Sequence, residues 1–180
     1  MKYLIPAICL LLGVCSCGAE GPTDPAVRPS FFDLKGYFDA EIERLEGYPL
    51  TVTKSIQLNG ETETKQLTDL NFSNDLRLFR ESDINKPAWQ DKYRSEVQQL
   101  SGQHQLTTYT ALDSSLQTRV LTVEEDLGVV THVSIRRKTG TVLSKGDHQL
   151  EYDPATGYRV RTLQINRLGK DVDALIEVSW

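Results

Sequence analysis

The sequence predicts one α+β domain over residues 30–180, in which a curved, half-barrel-like antiparallel meander of about seven or eight strands packs on one or two helices. Apolar residues recur at helical spacing between Phe31 and Leu45, whereas from His104 to the C-terminus they recur at every second position. Short turns join the strand-like segments, and short connections favour antiparallel neighbours. A twisted sheet of about eight strands would curl around the first helix.

The first helix is predicted to begin at Ser30, which forms a capping-box pattern with Asp33. Gly47 can end this helix. The residues on its buried side would be Phe31, Leu34, Phe38, Ile42 and Leu45. An aromatic-rich stripe could line a ligand site, but we interpret it as a core face that packs against a sheet.

A β-hairpin is predicted after this helix. Residues 50–58 alternate between apolar and polar side chains, and Asn59-Gly60 is a strong hairpin-turn signal because both residues tolerate positive φ. The returning strand, 61–67, is almost wholly polar. We expect it to be an exposed edge strand whose charges discourage further pairing.

A second helix is predicted over residues 72–81, before Pro87 interrupts the pattern. Its buried side would consist of Phe72, Leu76 and Phe79. Residues 89–100 fit either a helical stripe or one face of a strand. We expect a short helical turn followed by a strand.

The remaining chain is predicted to form six strands with alternating apolar positions. These strands are His104–Ala111, Gln117–Glu124, Val129–Lys138, Thr141–Tyr152, Tyr158–Arg167 and Asp171–Trp180. The turn signals between them include Thr139-Gly140. Together with the hairpin, these strands give the predicted meander.

Composition excludes several classes of protein. The chain has 180 residues, a net charge of −5 and 39% hydrophobic residues, unlike a disordered, collagen-like or polytopic membrane protein. An acidic chain argues against nucleic acid as a partner. The sequence contains no P-loop, dinucleotide fingerprint, zinc-protease motif or nucleophile elbow. We assign no cofactor, metal or catalytic residue, and the sequence favours a protein without enzymatic activity.

The N-terminal segment has the features of a bacterial secretory signal. Lys2 precedes an apolar run from Tyr3 to Val14, which is shorter than the about 20 residues needed to span a bilayer. All three cysteines lie in the first 17 residues. Disulfide bonds within the domain that follows are therefore excluded.

The end of the apolar run, Val14-Cys15-Ser16-Cys17, resembles a bacterial lipoprotein lipobox. The resemblance implies that a cysteine receives diacylglycerol, that the signal is cut before it and that the new amino terminus is acylated. Cys17 fits best, because the small residue Ser16 precedes it and Val14 occupies the apolar position. Cys15 is the rival, although the bulky Val14 stands where a small residue is expected.

The lipobox implies an N-terminal organisation and a location. We expect a signal peptide at 1–16, the lipidated cysteine with a flexible tether at 17–29, and the domain after it. The lipid would anchor the protein to a membrane of the cell envelope. We expect the outer membrane, with the domain facing the periplasm or the cell surface.

The histidines and one acidic group are candidate site residues. His104, His132 and His148 lie on separate predicted strands and could form a metal or acid–base site if they met across the sheet. Scattered strand histidines are usually surface residues, which is the interpretation we favour. Glu124-Glu125-Asp126 lacks the alternating ligands of a calcium loop, and we interpret it as a solvated hairpin turn.

Three further carboxylates could in principle supply a general acid and a general base. They are Asp147, Asp171 and Asp173. Strand alternation places Asp171 and Asp173 on the side opposite the apolar residues of their strand. We therefore expect these two carboxylates to lie in water.

Basic residues form two modest clusters that could contact anionic headgroups or a polyanion such as lipopolysaccharide. The first cluster is Arg136-Arg137-Lys138, and the second is Arg159, Arg161, Arg167 and Lys170. The alternative is a solvated face balanced by nearby acids, which is the interpretation we favour.

Four local strings carry a family resemblance: FFDLKGYF at 31–38, EIERL at 41–45, ESDINKPAW at 81–89 and YTALD at 109–113. With these strings the chain resembles an uncharacterised family of envelope lipoproteins from the Bacteroidota. The resemblance implies an anchored envelope protein and supplies no activity or functional residue. It draws attention to Ser82–Trp89, because a mixed polar and aromatic loop could hold a site. The simpler interpretation is that Pro87 ends a helix there.

Three hypotheses for function follow. The leading one is a membrane-anchored envelope lipoprotein that binds a protein partner or an apolar ligand, such as a lipid in a cavity beneath the sheet. The second is a hydrolase acting on envelope or glycan substrates, for which a histidine would have to lie within hydrogen-bond reach of an acid. The third is a structural subunit of an envelope complex.

Overall fold

The computed structural model describes residues 31–180. The predicted signal peptide, Cys15, Cys17 and the tether lie outside the described residues. The helices are α1 (Leu34–Glu46), α2 (Phe72–Asp75) and α3 (Arg77–Arg80), with a 3₁₀ turn at Pro87–Trp89. The strands are β1 (Val52–Leu58), β2 (Glu61–Leu67), β3 (Tyr93–Ser101), β4 (His104–Ala111), β5 (Thr118–Asp126), β6 (Val129–Gly140), β7 (Ser144–Asp153), β8 (Gly157–Asn166) and β9 (Val172–Ser179).

Nine strands form one open antiparallel sheet in the order β2-β1-β9-β8-β7-β6-β5-β4-β3. An antiparallel sheet with a small number of helices agrees with the predicted class, but the predicted count of seven or eight strands is wrong. The ninth strand is β3, which follows the 3₁₀ turn at Pro87–Trp89 as expected for residues 89–100 but was not counted in the predicted meander. The helices pack on one face of the sheet, which we call the covered face; we call the opposite side the open face.

The helix α1 begins later than its capping pattern predicts. Asp33 is the N-cap, and its Oδ1 accepts a hydrogen bond from the Gly36 N–H at 2.9 Å. The prediction that the helix already runs from Ser30 is therefore wrong for Phe31, which precedes α1. The Phe31 ring packs edge-on against Tyr93 and Tyr109, with ring centroids 5.9 and 5.6 Å apart.

Aromatic rings fill the space between the helices and the sheet. The Phe38 ring centroid lies 4.9 Å from that of Phe79 and 5.0 Å from that of Tyr152. All three side chains are fully buried. Burial of each such side chain contributes about 1.5–3 kcal/mol. The aromatic stripe of the first helix is therefore core in this structure, as are Leu34 and Leu45.

The chain between β2 and β3 connects the two opposite edges of the sheet, so it must cross the covered face. The predicted second helix is present here as α2 and α3, which are interrupted at Leu76. The three residues predicted to be buried, Phe72, Leu76 and Phe79, are at most 3% exposed. This crossing segment places a second layer of apolar side chains on the sheet.

Two carboxylates of the helical layer hold tyrosines of the sheet. Tyr152 donates a hydrogen bond to Glu41 of α1, and Tyr158 donates one to Asp75 of α2. Lys54 of β1 forms an ion pair with the same Asp75. Burial and the adjacent carboxylate raise the pKa of both tyrosines far above the usual range, so they remain donors at neutral pH.

Candidate functional site

His148 lies on the covered face of β7, where it bridges two neighbouring strands. Its Nε2 lies 3.1 Å from Thr139 Oγ1 on β6, and its Nδ1 lies 3.0 Å from Thr162 Oγ1 on β8. A Cβ on Gly146 would lie 2.8 Å from Nε2, so the missing side chain makes room for the ring. Burial, and then the nearby Arg137 guanidinium, hold the pKa of His148 below its usual value. The ring therefore favours the neutral form that can bridge two hydroxyls.

The other two histidines lie on the open face, on strands that flank Glu124 of β5. His104 Nε2 is 3.6 Å from Glu124 Oε2, which is longer than a hydrogen bond, and both side chains are 34% exposed. His132 lies directly opposite Glu124 in the pairing of β5 with β6. Within residues 31–180, no histidine forms a hydrogen bond with a carboxylate. The structure therefore gives the hydrolase hypothesis no assembled acid–base pair.

The Glu124-Glu125-Asp126 group ends β5 at a tight turn. Glu125 Oε2 accepts a hydrogen bond from Gln105 Nε2 at 3.0 Å. No group of three metal-ligating side chains that could hold an ion occurs in the described part of the chain. The position before the Leu127-Gly128 turn agrees with the interpretation of this group as part of a hairpin end.

The three carboxylates that could have supplied a general acid and base have separate partners. Asp147 pairs with Lys138 at 3.8 Å and Asp173 with Arg161 at 3.4 Å, between oxygen and nitrogen. Asp171 instead accepts the backbone N–H of Asn166 at 2.8 Å. Both Asp171 and Asp173 are exposed, as strand alternation predicts.

Two of the four residues of the second basic cluster form ion pairs, and the other two do not. Arg159 forms an ion pair with Glu177, with 2.6 Å between Nη2 and Oε1, and Arg161 pairs with Asp173. Exposed pairs of this kind contribute about 0.2–1 kcal/mol each. Arg167 and Lys170 have no carboxylate within 4.0 Å among residues 31–180. Half of the predicted cluster is therefore a balanced, solvated surface.

The prediction of an exposed first basic cluster is wrong for Arg137, because its side chain is buried. Arg137 is only 5% exposed, whereas Arg136 and Lys138 are exposed. Its guanidinium donates from Nη1 to the Leu78 carbonyl at 3.2 Å and from Nη2 to Gln117 Oε1 at 2.9 Å. Burial lowers the pKa of Arg137. This cation ties the sheet to the helical layer and is not part of a headgroup-binding surface.

The loop Ser82–Trp89 fastens the start of the domain. Asn85 Oδ1 accepts the Phe31 N–H at 3.0 Å, and its Nδ2 donates to the Phe32 carbonyl at 2.8 Å. Ser82 is fully buried. Pro87 does not end a helix, since α3 already ends at Arg80 and Pro87 begins the 3₁₀ turn. The contacts of this loop are structural, because they hold Phe31 and Phe32 in place before α1.

Two of the surface clefts bear on a possible ligand, and both lie away from the helical layer. One, of about 520 Å³, is lined on the open face by His132, Glu151, Arg159 and Glu177, among other residues. The other, of about 560 Å³, lies between the β4–β5 connection and strands β6 to β8. Both clefts have charged linings, and neither is the apolar cavity beneath the sheet that a lipid carrier would need.

The free edge at β3 is the feature that sequence analysis missed. No strand covers the outer side of β3 within residues 31–180. The Leu112 N–H donates to the Lys92 carbonyl at 2.8 Å. Lys92 and Leu112 therefore form a hydrogen-bonded pair just before β3 begins to pair with β4. Hydrogen-bonded and non-bonded pairs alternate along antiparallel strands. Backbone groups of Ser95 and Val97 therefore face away from β4, towards the free edge.

The two edges of the sheet differ in how well they are protected. The outer strand β2 carries Glu61, Glu63 and Lys65 in seven residues, a density of charge that discourages pairing. The outer strand β3 has nine residues, of which 94–101 are exposed, and only Arg94 and Glu96 are charged. An alternation of free N–H and C=O groups on a long strand is a template for strand addition. The sequence predicted a strand in this segment, but it did not show that this strand lies at the edge of the sheet.

No protein-family model matches the chain, and comparison with curated proteins and with solved structures gives no significant similarity. In the part of the chain that the structure describes, no helix is long and apolar enough to cross a membrane.

Proposed function

We propose that this chain is a lipoprotein of the bacterial cell envelope, anchored through Cys17, whose domain binds a protein partner along the free edge of β3. The anchor rests on the lipobox at Val14–Cys17 and on the resemblance to Bacteroidota lipoproteins. Two or more acyl chains anchor a protein stably, because each buried methylene contributes about 0.8 kcal/mol. The outer membrane remains the proposed location.

The observation that carries the proposed binding function is the orientation of the β3 backbone. An extended segment of another protein could accept from the Ser95 N–H and donate to its carbonyl, which extends the sheet by one strand. Exposed side chains on both faces of β3, among them Val97 and Glu96, could add specificity. A subunit joined to an envelope complex in this way is one form of the same proposal.

A protein partner is favoured over an internal apolar ligand by the packing beneath the sheet. Phe38, Phe79 and Tyr152 occupy the position where a lipid would have to lie. We further propose that the sheet curves as a half-barrel around α1, because twisted sheets of this size coil. The aromatic stripe would then fill the half-barrel in place of a ligand.

The anchor is tested by comparing the two candidate cysteines in the full chain. Cys17→Ser is expected to abolish incorporation of a labelled fatty acid and to release the protein from the membrane fraction of a bacterial host. Cys15→Ser is the matched control and should remain acylated. If both variants keep the lipid, or if the unaltered chain carries none, the proposed anchor is wrong.

The binding edge is tested by Ser95→Pro in the anchored chain. Proline removes the N–H that faces the free edge, and edge strands tolerate it there because no bond to β4 is lost. Ser95→Ala keeps that N–H and serves as the control. With p-benzoylphenylalanine in place of Val97, we expect a discrete photo-crosslinked product in cells that disappears on Ser95→Pro and persists on Ser95→Ala.

A cross-linked product of twice the chain mass would identify a second copy as the partner. Circular dichroism and thermal unfolding of the Ser95→Pro variant establish that the fold is kept. A product that persists in a folded Ser95→Pro variant, or equal cross-linking from position 64 on β2, would contradict binding at β3.

A further inference from the structure

One end of the sheet carries a group of exposed apolar side chains. We call these four residues the apolar tip: Val142, Leu143, Ile165 and Leu168 are 84%, 56%, 66% and 77% exposed. A backbone hydrogen bond of 2.8 Å from the Arg167 N–H to the Leu143 carbonyl joins the turn after β6 to the turn after β8. Val142, Leu143 and Ile165 border one cleft of about 360 Å³. The tip therefore joins the turn after β6 to the end of β8 and the turn that follows it.

Basic residues surround the apolar tip although the chain as a whole is acidic. Lys145, Arg167 and Lys170 flank it, and none has a carboxylate within 4.0 Å among residues 31–180. The one carboxylate in these two turns, Asp171, accepts the Asn166 N–H at 2.8 Å. The whole chain has a net charge of −5, so this positive surplus is local. Loop tips that combine apolar and basic side chains match an anionic bilayer surface.

The chain reaches the domain at this same end of the sheet. Phe31 packs against Tyr93, the first residue of β3, and against Tyr109 near the end of β4. In an antiparallel sheet in this order, the start of β3 and the ends of β4, β6 and β8 share one end. The segment from Cys17 thus joins the domain on the side of the apolar tip.

The length of that segment favours this end as the side nearest the membrane. Cys17 and Phe31 are 14 residues apart, and a flexible chain of that length has a typical end-to-end distance of about 20 Å. The opposite end of the sheet lies one strand length farther away, about 30 Å for nine residues. An anchor 14 residues from Phe31 would hold the apolar tip closer to the bilayer than the opposite end of the sheet.

We propose that the apolar tip docks on the surface of an anionic phospholipid bilayer. Val142 and Leu168, the most exposed members, enter the headgroup and acyl boundary. Lys145, Arg167 and Lys170 contact lipid phosphates, with their aliphatic stems along the apolar surface. This inference rests on the proposed lipid anchor. Docking orients the domain so that the strands point away from the membrane surface. The β3 edge then remains accessible to a protein partner.

The test uses residues 17–180 with Cys17→Ser, which lacks the acyl chains, and co-sedimentation with vesicles. Vesicles of phosphatidylcholine with one quarter phosphatidylglycerol are compared with vesicles of phosphatidylcholine alone. Val142→Ser/Leu168→Ser is expected to weaken partitioning into the anionic vesicles about tenfold, because two partly inserted side chains are lost. Leu127→Ser/Val129→Ser is the matched control, since these residues are 69% and 66% exposed at the opposite end.

Binding to anionic vesicles that is lost in the tip variant and kept in the control supports the inference. No binding, equal binding of the two variants, or binding independent of phosphatidylglycerol overturns it. A tip variant that instead loses self-association in sedimentation velocity would also overturn it, because the tip would then be an interface between copies. Failure of the proposed anchor is distinguishable, since acylation of Cys17 is measured on the full chain and vesicle binding on the unacylated chain.

Discussion

Arg137 shows how one side chain connects the sheet with the helical layer. Alternation along β6 places Arg137 on the same face as Val133 and Ile135, which are both buried. Its guanidinium donates hydrogen bonds to the Leu78 carbonyl in α3 and to the Gln117 side chain just before β5. This role was not predicted, because Arg136-Arg137-Lys138 forms one charged run in the sequence. The period-two pattern alone would have separated Arg137 from its neighbours.

Replacing this side chain should destabilise the fold. We expect Arg137→Ala to lower the free energy of unfolding by about 2–4 kcal/mol, since it removes the hydrogen bond to the half-buried Leu78 carbonyl and leaves a cavity where the buried side chain packed. Arg136→Ala on the exposed side of the same strand should change it by no more than about 0.5 kcal/mol. Urea unfolding measures both variants. Equal effects would contradict a structural role for the Arg137 guanidinium.

The junction of β8 with β9 depends on close approach of the two backbones. Gly157 begins β8 with a φ of +139°, a region that favours glycine. A Cβ at this position would lie 1.9 Å from the Val178 carbonyl oxygen. Two neighbouring elements therefore meet at a position that no other residue type can occupy without a shift of backbone.

A pair of glycine substitutions separates backbone strain from this collision. Gly157→Ala should lower the free energy of unfolding by more than about 2 kcal/mol. Gly60 also has positive φ, +94°, but a Cβ there would meet no atom within 4 Å, so Gly60→Ala should cost distinctly less. Thermal unfolding of both variants provides the comparison. A similar loss in both would mean that strain in φ alone accounts for the effect at Gly157.

Element boundaries were predictable where the local pattern was strong. The predicted bounds of β2 and β4 agree with the structure, and those of β8 differ by one residue at each end. The prediction of a turn at Thr139-Gly140 is wrong, because β6 continues through Gly140 and the turn comes after it. For β3, the residues Tyr93 and Val97 share one face of a helix as well as of a strand. Pairing with β4 decided between the two.

At the scale of the whole molecule, the sheet has a protected centre and two unequal edges. The C-terminal strand β9 lies between β1 and β8, so the first hairpin is attached to the last strand of the chain. Pairs such as Ile56 with Ile176 close a loop of more than a hundred residues. Contacts this distant in sequence make cooperative unfolding of the sheet and the helical layer the expected behaviour.

Native-state hydrogen exchange should display this arrangement. The amides of Leu150 and Val160 in central strands should exchange only through global unfolding. Along β3, the amides of Ser95 and Val97 should exchange several orders of magnitude faster than that of Glu96, which faces β4. The alternation within one strand is an internal control. Uniform protection along β3 in the unbound protein would show that its outer edge is covered.

The sequence by itself determined most of the helices and strands, and most of the apolar side chains that face the core. It did so because amphipathic periodicity is local: the stripe of α1 and the alternation from His104 onward need no knowledge of neighbours. Only the tertiary structure decided the strand order, the insertion of β9 beside β1 and the exposure of the β3 edge. The physical reason is that alternation specifies the face of a strand, whereas its neighbours are chosen by packing and backbone pairing across the whole chain.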